Sequence, residues 1–256
     1  MYTVVSARGG SGKTTIATNL AVLLAGRPSG TTVLADLNLE FPATALALRS
    51  RPYLPIADLV DASKGADDAE FDAMLPRHRS GLRLLTGTME AGESERLSDE
   101  GMRILLQRLT SLYDTVVMDC RPSFRDVYLD IWEACDQILV VCPPDVVSVG
   151  LTERLVDAMS SVGVEPDRIR IVLNHIFPTH RLSKAEIDRQ IGGEKSVIPY
   201  GGPHIHRAED AGSVFVTEHP KEAAARALRS LAEELVRIGH AAEASRIHGE
   251  ALELAS

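Results

Sequence analysis

The sequence predicts a doubly wound α/β fold, a mostly parallel sheet flanked by helices on both faces. Short apolar, β-rich runs alternate with helical patterns along the chain. The first of these runs (Thr3, Val4, Val5) leads through a Gly-rich segment straight into an apolar helix. At 256 residues and 45% hydrophobic, the chain can bury a full core, and no Pro/Gly/Ser-rich linker divides it.

In chain order the predicted strands are 2–7, 31–36, 82–86, 114–119, 136–142, 168–174 and 196–199, each an apolar run of strand length. Helical spacing of apolar residues predicts helices near 13–25, 55–62, 68–75, 98–111, 146–161, 183–191 and 220–238, with none assigned between the fourth and fifth strands. Ser98 before Asp99-Glu100 and Ser183 before Lys184-Ala185-Glu186 are expected caps. No internal repeat is evident. Residues 1–239 form the expected domain, and 240–256 an Ala- and Glu-rich tail, helical or frayed, without the basic and aromatic face of a membrane-lying helix.

Residues 5–15 read Val-Ser-Ala-Arg-Gly-Gly-Ser-Gly-Lys-Thr-Thr, between a strand and a helix. Glycines at 9, 10 and 12 let the backbone turn its N–H groups toward phosphate oxygens, and the helix dipole adds to the anion site. Lys13 can reach β- and γ-phosphates, and the Thr14 hydroxyl can ligate Mg²⁺. The strict spacing G-x-x-x-x-G-K-[ST] would place glycine at position 7, where this chain has Ala7.

The formal net charge is −9, which opposes a broad electrostatic footprint on nucleic acid. The arginines at 77, 79, 83, 226 and 229 read as dispersed charges on solvated faces. The three cysteines, Cys120, Cys135 and Cys142, have no C-x-x-C spacing and read as small buried apolar residues in a reducing cytoplasm. The chain enters its first strand without a basic and apolar leader, and no apolar run approaches the ~20 residues of a membrane span, so a cytoplasmic protein is expected. His204 and His206, a lone H-x-H, read as surface histidines.

Arg8-Gly9-Gly10-Ser11-Gly12-Lys13-Thr14-Thr15 resembles the deviant Walker A motif K-G-G-x-G-K-T-[TS] of the MinD/ParA ATPases. The resemblance implies a P-loop fold, ATP and Mg²⁺ as cofactors, and a homodimer formed on ATP. Gly9, Gly10, Ser11, Gly12, Lys13, Thr14 and Thr15 then hold nucleotide, and the residue at position 8 reaches the partner's nucleotide. That residue is a lysine in the family and Arg8 here; it keeps the charge but has a larger, fixed fork.

Leu34-Ala35-Asp36-Leu37-Asn38-Leu39 resembles the family's D-x-D stretch after its second strand. Asp36 matches the aspartate supporting the Mg²⁺ shell, and a turn-capping carboxylate is the alternative reading. Asn38 stands at the water-positioning aspartate; its amide can hold a water but cannot accept a proton. Tyr113-Asp114-Thr115-Val116-Val117-Met118-Asp119-Cys120-Arg121-Pro122 resembles the Walker B segment, with Asp119 as the metal carboxylate. Arg121 departs from the family's proline or small residue, and either nears the phosphates or points to solvent. Asn174, ending Arg170-Ile171-Val172-Leu173-Asn174, matches the asparagine that reads the adenine edge, and Pro199 the loop that walls the base.

The resemblance spans residues 2 to about 238 and is strongest to the CpaE/TadZ branch, which places Tad pilus assembly machinery at a cell pole. Asp36-Leu37-Asn38-Leu39-Glu40-Phe41 with Ala45-Leu46-Ala47-Leu48, Ile56-Ala57-Asp58-Leu59-Val60, Ser80–Leu85 and Ala208-Glu209-Asp210-Ala211-Gly212 carry it. It implies a cytoplasmic, polar localisation factor with protein partners in pilus or secretion assembly. Lys13, Arg8 and Asn38 would form its catalytic set, Thr14, Asp36 and Asp119 its metal set, and ATP hydrolysis would be slow or absent. A non-hydrolysing nucleotide-bound scaffold and a partition ATPase are the alternatives.

Overall fold

The computed structural model describes residues 1–28, 30–51, 54–86, 97–179 and 182–253. At its centre are β1 (Tyr2–Val5), β2 (Thr32–Asp36), β3 (Arg83–Leu85), β4 (Thr115–Asp119), β5 (Gln137–Cys142), β6 (Ile169–Asn174) and β7 (Glu194–Ile198). They form one seven-stranded sheet in the order β3-β2-β4-β1-β5-β6-β7. Every pairing is parallel, so each strand returns by a crossover. All seven predicted strands are present, their ends within two residues of expectation.

The helices are α1 (Lys13–Ala25), α2 (Thr44–Ala47), α3 (Ile56–Ala62), α4 (Asp68–Met74), α5 (Asp99–Leu112), α6 (Asp126–Ala134), α7 (Val146–Ser161), α8 (Lys184–Gln190), α9 (Pro203–Ala211), α10 (Phe215–Glu218) and α11 (Ala223–Glu253). The sequence reading missed α2, α6, α9 and α10. Two of these are single turns, and the nine-residue α6 is shorter than the window in which helical periodicity separates from a buried strand. Its Val127, Tyr128, Ile131 and Trp132 are buried along one face. The expected caps are in place. The Ser98 hydroxyl accepts from the Gly101 amide at 3.0 Å, and Ser183 forms a reciprocal capping box with Glu186. The helix predicted over 220–238 and the region read as a tail are one helix as far as Glu253.

Alternating strand residues feed two cores. Val5, Val33, Ala35, Met118 and Val140 point to the layer built by α3 to α8. Val4, Leu34, Val117, Leu139 and Val172 point to the layer built by α1, α9, α10 and α11. The sheet is therefore buried on both faces, which is why its strands read as continuous apolar runs. All three cysteines are buried and unbridged. No described helix is long and apolar enough to cross a membrane.

The turn from β1 into α1 brings a special backbone close to β6. Gly10 and Gly12 have φ of 72° and 82°, and a Cβ on Gly12 would lie 2.3 Å from the Asn174 amide nitrogen. Gly9 has open space around it and no positive φ. Gly12→Ala should therefore lower the unfolding free energy by about 1–3 kcal/mol, whereas Gly9→Ala should leave it within about 0.5 kcal/mol. Urea titration of the nucleotide-free protein distinguishes these outcomes, and equal costs would contradict this account of the loop.

Candidate functional site

In a doubly wound sheet, ligands lie beyond the carboxyl ends of the strands. The chemistry-bearing residues named from sequence gather there. The loop of residues 6–12 leaves β1, the central strand, and turns into α1. Asp36 ends β2 and Asp119 ends β4, and the two are direct partners in the parallel register. Asn174 ends β6 opposite Ile198, so half-buried Pro199 follows immediately at the end of β7.

The two aspartates are 0% and 1% exposed. Burial, and next the charge of Asp119, push the Asp36 carboxyl above the usual carboxylate range; hydrogen bonds from Thr44 and Asn38 oppose this. Asp36 Oδ1 accepts from the Asn38 amide at 3.0 Å, and Oδ2 from the amides of Ala43 and Thr44 at 2.8 and 2.9 Å. The turn-capping reading of Asp36 thus describes its present bonds. On Asp119, the Lys13 ammonium binds Oδ1 and the Thr14 hydroxyl donates to Oδ2 at 2.6 Å. Two adjacent carboxylates with the Thr14 hydroxyl beside one of them present oxygen ligands of the kind a hard divalent cation takes. Raising a carboxyl pKa makes its ionised form unfavourable to the fold, and a cation bound at the pair would reverse that sign.

Gly9 and Gly10 are exposed at the loop's crest, and Ser11 is buried beneath it. The Asn174 amide donates to the Ser11 carbonyl at 2.9 Å, so it braces the phosphate loop from below and keeps its Oδ1 as an acceptor. The Thr15 hydroxyl donates to Glu209 on α9. The Asn38 side-chain amide donates to the Phe41 carbonyl at 2.9 Å, closing a turn over the carboxylates.

Arg8 projects from the loop onto its own chain. Its Nη1 donates to both oxygens of Asp145, at 3.1 and 3.2 Å, and to the Ser148 hydroxyl at 3.2 Å. Asp145 caps α7. Burial raises its carboxyl pKa, but Ser148 and then Arg8 outweigh this and hold it below the usual range. Asp145 was not singled out from sequence, and Glu209 was named only within the Ala208–Gly212 stretch; the Asp145–Ser148 spacing at the head of an apolar helix is a cap signal that could have found Asp145. Arg121, its side chain 38% exposed, pairs with Glu40, Nη1 to Oε2 at 2.7 Å. Cys120, next to Asp119, is fully buried, its thiol pushed up to about 12 by burial, so it stays neutral. His204 stacks on His219 with ring centroids 4.5 Å apart, and its Nδ1 lies 3.2 Å from Glu222. A concavity of about 750 Å³ between Tyr2, Arg27, Asp114 and His240 lies at the opposite end of the sheet, away from all these groups.

Comparison with known proteins shows the fold and the family. The septum site-determining protein MinD of Thermotoga maritima is 25% identical over 187 residues, 72% of this chain and 66% of that protein. A ParA family ATPase from Chlorobium tepidum superposes with a TM-score of 0.83 at 24% identity, covering 90% of this chain and 97% of that one. MinD of Pyrococcus horikoshii, solved with Mg-ADP, superposes at 0.76 with 20% identity, covering 91% and 94%. The family model of the CobQ/CobB/MinD/ParA nucleotide binding domain matches residues 2–212, and the chain belongs to that family.

Proposed function

We propose that this protein binds ATP with Mg²⁺, pairs face to face with a second copy around the nucleotides, and acts as a localisation or assembly factor with slow hydrolysis. The observation that carries the reading is the cluster of Lys13, Thr14, Asp36 and Asp119 at the mouth of a loop whose glycines at 10 and 12 adopt positive φ. Loop amides would hold the phosphates, and Lys13 would exchange Asp119 for the β- and γ-oxygens. The Thr14 hydroxyl would ligate the metal directly, and Asp36 and Asp119 would hold its water shell. When bound, Mg²⁺ would supply neutralisation of the phosphate charge. Asn174 Oδ1 would accept from the adenine amino group, with Pro199 as a wall.

Exposed Phe41, Phe124, Val146, Val147 and Phe177 follow β2, β4, β5 and β6 at this same end, an apolar rim that a second copy would cover. Arg8 would then leave Asp145 to reach across. The Asp36–Leu48 and Ala208–Gly212 segments support a role like that of the CpaE/TadZ proteins in placing pilus or secretion machinery at a pole, and a flanking pilin and secretion-ATPase operon would test it.

Lys13→Ala should weaken ATP binding at least ~10-fold, since charge-assisted bonds are worth about 1.5–3 kcal/mol each; unchanged affinity by calorimetry would remove the assignment. Sedimentation should show a dimer with ATP and Mg²⁺ and a monomer with ADP. Arg8→Ala should weaken that dimer while sparing nucleotide binding by the monomer. The same mass in every nucleotide state would refute the pairing.

Wild-type hydrolysis should run below the ~1 s⁻¹ of an ordinary enzyme. Asn38→Asp should accelerate it, because a carboxylate orients and activates water better than an amide; such assistance is worth roughly 10²–10⁴-fold, of which this single change should recover a fraction. An aspartate cannot donate to the Phe41 carbonyl, so the side chain would also be released from its turn. Single-turnover rates of wild type, Asn38→Asp and its combination with Arg8→Lys provide the test. A fast wild type with no gain in either variant would make position 38 silent.

A further inference from the structure

We propose that Arg121 is a positioning residue that couples the two loops carrying the acidic pair, so that the segment after Asp36 and the segment after Asp119 order together when Mg-ATP binds. The proposal rests on the nucleotide reading above and adds a residue which that reading does not use.

The segment from Asp36 to Thr44 is wrapped around a carboxylate, with three of its amides on the Asp36 oxygens and the Asn38 side chain on Phe41. These bonds shape the turn but do not fix it against β4. Three others do. The Leu37 amide donates to the Asp119 carbonyl at 3.0 Å, the Tyr128 hydroxyl donates to the Leu37 carbonyl at 3.0 Å, and Arg121 pairs with Glu40. The Arg121 guanidinium also lies near enough to Tyr128 to interact with it electrostatically. Tyr128 lies on α6 and is 2% exposed, so one end of the network is rigid. The Arg121 and Glu40 side chains are 38% and 48% exposed, so the other end can open.

Arg121 lies two residues beyond Asp119, and Glu40 four beyond Asp36. The Arg121–Glu40 pair therefore adds a side-chain link between the outer parts of the two loops, beyond the backbone bond from Leu37 to Asp119. Exposed Phe41 is adjacent to Glu40 in sequence, and exposed Phe124, three residues beyond Arg121, packs edge-on against Trp132. A proline or small side chain at position 121 would supply no such link.

Hydrogen exchange on the nucleotide-free protein tests the mechanical part. Arg121→Ala should speed exchange of the amides of residues 37–44, on the loop it does not belong to, and Glu40→Ala should speed exchange of residues 120–126. Calorimetry tests the functional part. Each single change should weaken Mg-ATP binding about two- to fivefold relative to Mg-free ADP, the range of a half-exposed ion pair. The double Arg121→Ala/Glu40→Ala should be no weaker than either single, and the swap Arg121→Glu/Glu40→Arg should recover part of the loss. Losses that add in the double variant, or exchange confined to the mutated loop, would overturn the coupling while leaving nucleotide binding intact. Wild-type protein that binds no Mg-ATP, or binds it equally well as Lys13→Ala, would overturn both the nucleotide reading and this proposal.

Discussion

The structure is organised by two like charges placed side by side out of water. Parallel register puts Asp36 and Asp119 on neighbouring strand ends, and both are buried. Two carboxylates so placed cannot both remain ionised without compensation. The compensation sets the local fold. Backbone amides of the turn after β2 are spent on Asp36, and Lys13 and Thr14 turn inward to Asp119. The phosphate loop's own cation, Lys13, is thus paired with Asp119. The arrangement is stable enough to fold and still leaves the site poised to exchange one set of partners for another.

What could be read from sequence was what depends on local residues. Strands buried on both faces appear as unbroken apolar runs, and the phosphate loop carries its glycines, lysine and threonine within a few positions. Both acidic positions follow from strands that end in aspartate. What escaped depends on distant partners. Arg8 lies 137 residues from Asp145, and Thr15 lies 194 residues from Glu209, so no spacing announces either pairing. The helix α6 escaped for another reason. Its nine residues follow Arg121-Pro122-Ser123-Phe124, a turn-like stretch, and present too short a pattern to separate from it. Asn38 is an intermediate case: its chemistry was legible, but its bond to the Phe41 carbonyl depends on how the turn closes.

The two arginines that depart from the family pattern share a property. Arg8 rests on Asp145 and Ser148, and Arg121 rests on Glu40, each in an ion pair that is half open to solvent. Such pairs contribute little, about 0–1 kcal/mol, because water screens them and the long side chains lose freedom. A charge-assisted bond to phosphate in a drier site is worth more, about 1.5–3 kcal/mol. The comparison favours exchange. On the function proposed above, Arg8 can leave Asp145 for a stronger acceptor with little loss to the fold. Under the proposed reading, the substitution of arginine for lysine at position 8 therefore bears on rate through geometry more than through affinity: the charge still arrives, but on a planar fork whose bidentate preference need not match the position a compact ammonium would take.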